Sequence, residues 1–193
     1  DDAVVTEAAR QELIRRYFRY RYENILGVGK EKTVEKVLLL MEELNVRPED
    51  RHVVSAARAA AAGPRKKGRP VPDVSCGGAL ELADGTILTG KNSLLLSAAS
   101  ALVLNTIKYL AAIPDPIHLL SLQVLERIAG LKRDVLGLRD TMLDLTETLT
   151  ALSISAATNP TAEVAMEKLR ELANCEVHFT HIPSPGDETA LRS

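Results

Sequence analysis

Tryptophan is absent from these 193 residues and aromatic side chains make up only 3% of them, so the core has to be assembled from Leu, Ile, Val and Ala. Cysteine is scarce too. Cys76 and Cys175 are too few and too far apart for a disulfide framework or a CxxC metal knuckle, and both read as buried free thiols. The formal net charge is only -2, which excludes a global field for nucleic acid or acidic lipid and leaves such contacts to local patches. Long apolar runs are lacking as well. The stretch from Leu94 to Leu104 is broken by Ser97 and Ser100, lies between Lys91 and Lys108, and falls short of the ~20 residues of a membrane span. No signal peptide is read at the start, so a cytoplasmic setting without membrane contact is expected. The opening Asp in place of Met suggests a piece of a longer protein.

What is present is the balance of a folded globular protein, 46% hydrophobic and 26% charged. From Ala3 to Leu26 the apolar residues Val5, Ala9, Leu13, Tyr17 and Tyr20 recur at helical spacing, and Gly27-Val28-Gly29 ends the pattern. A second helix is expected from Glu31 to Leu44, on Val34, Val37, Leu38, Met41 and Leu44, with Asn45 as its stop. Pro48 suits the first turn of a third helix running to Ala62. Residues 1–62 therefore read as a helical module, 63–74 as a Pro/Gly/basic linker and 75–193 as an α/β subdomain.

In that subdomain Gly78 to Leu82 and Thr86 to Thr89 flank Ala83-Asp84-Gly85, a hairpin signal because Gly supplies the positive φ of the turn. A buried helix is expected over Leu94 to Ala112, stopped by Pro114 and Pro116, then a short strand from Ile117 to Leu120. Ser121 would cap a helix to Leu136, Asp144 and Glu147 would box the start of one to Ala156, and Asn159-Pro160 would open one to Leu172. A strand from Glu176 to Ile182 and a tail from Pro183 complete the pattern.

Four segments carry a resemblance. Leu88 to Lys91, Ala98 to Lys108, Ile117 to Ser121 and above all Ala151 to Glu163 resemble the bacterial family catalogued as domain of unknown function 1846, and Gln11 to Tyr17 resembles its helical middle section. The resemblance implies a considerably longer protein, with a Gly-rich, Lys-containing loop suited to phosphate in an N-terminal part outside this chain. It also implies an α/β layered subdomain of cytidine-deaminase-like topology. The chain departs from the family near Leu138 to Leu143 and at Leu122 and Arg127, so no polar site is carried over from there. Zinc deaminase chemistry needs a His or Cys with a Glu on the helix after the hairpin and Pro-Cys-x-x-Cys on the next. Here those helices read Leu94-Leu-Leu-Ser-Ala-Ala-Ser and Ser121-Leu-Gln-Val-Leu, which excludes it.

The sharpest candidate is an anion site. Lys91 follows the hairpin, Asn92 and Ser93 lead into a helix whose free N–H groups favour negative charge, and Ser97 and Ser100 follow a turn apart. The plain alternative is that Asn92 or Ser93 caps the helix and Lys91 is a solvated strand end. Thr158 and Asn159 form a second helix entrance, either a cap or a ligand site. Asn105, in a nearly apolar helix, must find hydrogen-bond partners or cost about 1–3 kcal/mol. His178 and His181 would point to opposite faces of a strand, so no metal site is read there. Arg65, Lys66, Lys67 and Arg69, and the mixed run Arg15 to Tyr22, are the basic patches, and solvation or burial explains them better than nucleic acid.

The expectation is thus a helix-rich α/β chain acting as a binding or assembly module, noncatalytic by itself, that packs against a missing N-terminal domain or a second copy. The rival is part of a phosphate- or nucleotide-ligand enzyme site completed by that missing region. No cofactor and no catalytic residue is assigned.

Overall fold

The computed structural model describes residues 2–63, 72 and 74–193. It forms two compact units, Asp1–Ser55 and Ala56–Ser193. The fold is helix-rich α/β with one three-stranded antiparallel sheet among the described residues.

In the first unit, helices α1 (Asp2–Ile25) and α2 (Glu31–Glu43) pack around Leu13, Ile14, Met41 and Val46, with Tyr17, Phe18 and Val37 against them. The buried stripe of α1 is rotated from the expected one: Ile14 and Phe18 join Leu13 and Tyr17, while Val5 and Ala9 are exposed. The α2 stripe is also narrower than expected, since Leu38 and Leu44 lie exposed. Gly27, at φ 75°, lets the chain reverse after α1, with Val28 N and Gly29 N both donating to Glu23 O. Asn45 does the same after α2 at φ 50°. The third helix starts later than the sequence suggests. Pro48–Asp50 is a single 3₁₀ turn, and the Asp50 carboxylate reaches back to accept from Arg47 N at 2.9 Å. Such a short polar side chain competes with the helical ladder, so α3 begins only at His52 and runs to Ala62.

In the second unit, β1 (Gly77–Glu81) and β2 (Ile87–Lys91) form the expected hairpin, its turn made by Gly85 at φ 83° and by Asp84 Oδ1 accepting from Thr86 N. Strand β3 (Glu176–Phe179) pairs with the other edge of β1, giving the order β2-β1-β3. Helix α4 (Ala98–Leu110) lies on the hairpin so closely that a Cβ on Gly90 would strike the backbone of Leu102. Gly78, opposite Gly90 in register, leaves room for the Phe179 ring. Around α4 gather Leu119, Leu120, Leu125, Leu143, Leu152, Ala162 and Ala165, the aliphatic core that a tryptophan-free chain requires.

Several boundaries differ from the sequence pattern. Helix α4 begins at Ala98, not Leu94, because Leu96 bridges to Leu143 and Ser97 takes the cap. Ile117 to Leu120 is not a strand. Leu119 and Leu120 are both buried, so consecutive side chains enter the core where a pleat would have sent one of them away. Helix α5 (Leu122–Gly130), capped by Ser121, passes into a π-helical turn at Leu131–Val135. Helices α6 (Leu145–Ala156) and α7 (Pro160–Glu167) start where their caps indicate, and a 3₁₀ turn at Lys168–Leu172 follows α7. β3 ends at Phe179, short of Ile182, and the expected tail is helix α8 (Pro185–Arg192). Both cysteines are half-buried, not fully buried.

Replacing Gly90 with Ala should force α4 away from β2 and lower stability by about 1–3 kcal/mol in urea unfolding, as overpacking does.

Candidate functional site

Three helix starts converge on one carboxylate. Asp187, only 1% exposed, is the third residue of α8. Its Oδ1 accepts from Ser97 Oγ, the α4 cap, at 2.8 Å and from Leu145 N, the first residue of α6, at 2.7 Å. Its Oδ2 accepts from the α8 cap Ser184, through Oγ at 2.9 Å and N at 3.4 Å. Ser97 Oγ in turn accepts from Ser100 N, and Ser100 Oγ donates to Leu143 O while accepting from Thr148 Oγ1. Every hydroxyl in this buried chain is therefore satisfied, as burial demands. Gly186 has no side chain to strike the Asp144 carboxylate, which lets the first turn of α8 lie against the start of α6.

Beside this knot lies a cavity of about 250 Å³, lined in part by Cys76, Lys132, Asp140, Asp144 and His181. Lys132 comes from the π turn, where an inserted residue re-aims a side chain. Its Nζ donates to Met142 O and to Glu147 Oε2, each at 2.6 Å, and the same Glu147 oxygen accepts from Asp144 N in the α6 capping box. Burial pushes the Cys76 thiol up, which keeps it protonated and poorly nucleophilic. Burial holds His181 below its ordinary pKa of 6.5, and the nearby Asp187 charge opposes this only in part. The Nδ1 of His181 is buried with no hydrogen-bond partner among the described residues.

The structure brings some of the candidates from the sequence together and separates others. Asn92 and Ser97 line the cavity and Ser100 stands behind it, but Asn92 is occupied: Oδ1 accepts from Cys76 N and Nδ2 donates to Val74 O. Lys91 Nζ donates to Gly63 O at 2.9 Å. Ser93 is not at the helix entrance, and its Oγ accepts from Leu95 N and Leu96 N in the preceding turn. Thr158 is exposed, and Asn159 caps α7 by accepting from Thr161 N and Ala162 N. Asn105 is exposed and its amide donates to Thr89 O. Arg65, Lys66, Lys67 and Arg69 lie outside the described residues. In the run from Arg15, Arg15 and Arg16 pair with Glu12, and Tyr17 and Phe18 pack into the first unit's core. Among the described residues no three His, Cys, Asp or Glu side chains converge as a metal site.

The family described as Domain of unknown function DUF1846, C-terminal matches residues 49–193, and Domain of unknown function DUF1846, N-terminal matches residues 1–45. The chain belongs to the DUF1846 family. Among its relatives are a UPF0371 protein of Clostridium botulinum (strain Alaska E43 / Type E3), 47% identical over 99% of this chain, and one of Clostridium tetani, 46% identical over 100%. The chain spans 38% of the length of each of these curated relatives. DUF1846 membership accounts for the resemblance at Ala151 to Glu163. The Asp187 knot escaped the sequence reading, although Ser184 and Asp187 stand at capping-box spacing around Pro185 and could have revealed α8. Lys132 left no such signal.

Asp187→Ala should cost about 2–4 kcal/mol in denaturant unfolding, because it leaves buried donors at three helix starts without their charged acceptor. His181 supplies a pH signature. Its folded pKa lies below that of the unfolded chain, so the unfolded state takes up the proton first and stability falls as pH drops below about 6.5. Urea midpoints should decline over that range in the native chain and decline less in His181→Gln.

Proposed function

We propose that this chain is a binding and assembly module, noncatalytic by itself, whose first unit docks against the rest of the N-terminal domain of a longer cytoplasmic protein. One observation carries this. The first unit leaves Val5 67% exposed and Leu39 59%, with Val4, Ile25, Leu26, Leu38 and Leu40 also open to solvent. So many large apolar side chains on so few residues are the surface expected of a domain core left uncovered. The family comparison supports the same occupant. The N-terminal match stops at residue 45 and the C-terminal match begins at 49, while the relatives hold much more chain than these 193 residues. Residues 1–45 then represent the last part of the N-terminal domain. No helix among the described residues is long and apolar enough to cross a membrane.

In this reading the polar residues Lys91, Asn92, Ser93, Ser97, Ser100, Thr158 and Asn159 serve the fold. The positive end of α4 meets the Asp187 carboxylate in the place where an external phosphate would otherwise sit. The cytidine-deaminase-like layering implied by the family would survive as the hairpin laid on α4, with the zinc chemistry absent. The test is reconstitution. The preceding region of the Clostridium botulinum relative, produced separately, should co-elute with this chain in size-exclusion chromatography with light scattering. Val5→Asp combined with Leu39→Asp should abolish the complex. A chain that stays monomeric and binds nothing, or a complex indifferent to both substitutions, would refute the proposal.

A further inference from the structure

Docking by the first unit leaves a second apolar surface unexplained, on α5 and the π turn that follows it. The side of this helix turned to the core carries Leu125, Ala129 and Lys132, all buried. One position before each step stands another row, Val124, Ile128, Leu131 and Val135, at spacings of four, three and four that keep it on one side of a helix. Val124 and Ile128 are half-buried, Leu131 is exposed, and Val135 is 72% exposed. The π turn, closed by Leu136 N donating to Leu131 O, adds an exposed Leu136 at the end of the row. Helix α6 widens the surface. Its Ile154, 70% exposed, and its Ala151 form with Val124 and Ile128 a groove of about 390 Å³ beside α5. A strip of this kind marks an interaction surface, unlike apolar residues scattered singly over an exterior.

The charges beside the strip select what covers it. Arg127 and Asp134 stand two helical turns apart on the flank away from the core, with Gly130 between them. Both are exposed, and the Asp134 carboxylate lies back along that flank, 3.7 Å from where a Cβ on Gly130 would stand. Asp134 is held only by its neighbour Arg133, in an exposed pair that exchanges easily. Arg127 makes no ion pair among the described residues. A second copy of the row laid antiparallel on the first sets Ile128 against Leu131 and Val124 against Val135 of the other copy, each contact made twice. The same pairing brings Arg127 to Asp134 of the other copy, again twice. The row is thus complementary to itself in its apolar layers and in its charges, which a two-fold contact requires and docking of a different domain does not.

We infer that this chain forms a two-fold dimer through α5, its π turn and Ile154 of α6, separate from the open face of the first unit. Gly130, bare at the centre of the flank, leaves the two helices room to approach. Val135 of each copy enters the groove that α5 and α6 form on the other.

The test is sedimentation equilibrium of the full chain from low to high micromolar concentration, with the native sequence and with Val5→Asp combined with Leu39→Asp, which blocks the first unit's face. Both should reach the mass of a dimer. Val135→Asp combined with Ile154→Asp alters side chains already in water, so circular dichroism should be unchanged while only monomer remains. Arg127→Asp alone, or Asp134→Arg alone, should weaken the dimer about tenfold by setting like charges together. The two combined should restore it, because the pair is exchanged in place. A chain that stays monomeric throughout overturns the inference, as does a dimer lost on blocking the first unit's face. So does a dimer indifferent to Val135→Asp and Ile154→Asp, or a combined charge variant no tighter than the single ones. None of these results bears on co-elution of the Clostridium botulinum region with the first unit, so the two readings stand or fall separately.

Discussion

The fully buried carboxylate of Asp187 is the constraint on which the second unit is organised. A charge in an aliphatic core is tolerable only when its oxygens are saturated, and here Ser97, Leu145 and Ser184 supply the donors. Each donor belongs to a different helix start, so satisfying one side chain fixes the relative position of α4, α6 and α8. The same geometry answers a problem of the helices themselves. Their first N–H groups lack intrahelical partners; Ser97, Asp144 and Ser184 cap them, and the Asp187 carboxylate ties these starts together by accepting from the Ser97 and Ser184 hydroxyls and from Leu145 N.

Close backbone approach is the second organising element. The sheet is small, and its grip on α4 comes from the register that sets Gly78 across from Gly90. One glycine admits the Leu102 backbone and the other admits the Phe179 ring, so α4 seats closely on the hairpin, with the Leu102 side chain packed against Leu80 and Leu82. The dense aliphatic cluster around Val103, Ile107, Leu143 and Leu152 is built on that seat. The first unit has nothing comparable. Its core rests on a few residues of α1 and α2, and much apolar surface is left outside it.

Signals that act within a few residues were legible in the sequence. The Asp84-Gly85 turn, the Asp144/Glu147 capping box, the Ser121 cap and the Asn159-Pro160 entrance all stand where their chemistry indicates. Errors came where a distant partner outweighed local preference. The run from Leu94 reads as helix throughout, yet pairing of Leu96 with Leu143 holds its first residues extended. Ile117 to Leu120 has strand composition, but it is not a strand of the sheet, and the core claims two successive leucines. Helix α8 was hidden by the habit of reading Pro183 and Pro185 as a tail, although proline is at home in a first helical turn. Of the candidate site, Ser97 and Ser100 were visible as polar residues in an apolar stretch. Lys132, His181 and Asp187 were not, because they lie far along the chain from those serines.

By itself, then, the sequence determined the helix-rich α/β class, the hairpin, most helix starts, an aliphatic core without tryptophan, and the absence of the residues that zinc deamination needs. Those properties depend on neighbours in the chain, whose spacing fixes turns, caps and faces. The tertiary structure alone decided that the positive end of α4 meets an internal carboxylate, that Lys132 is neutralised by Glu147, and that His181 lines one cavity with Lys132, Asp144 and Asp187. Each of these is an encounter between groups widely separated along the chain, and electrostatic and hydrogen-bond energies depend on distance in space, which sequence spacing does not set.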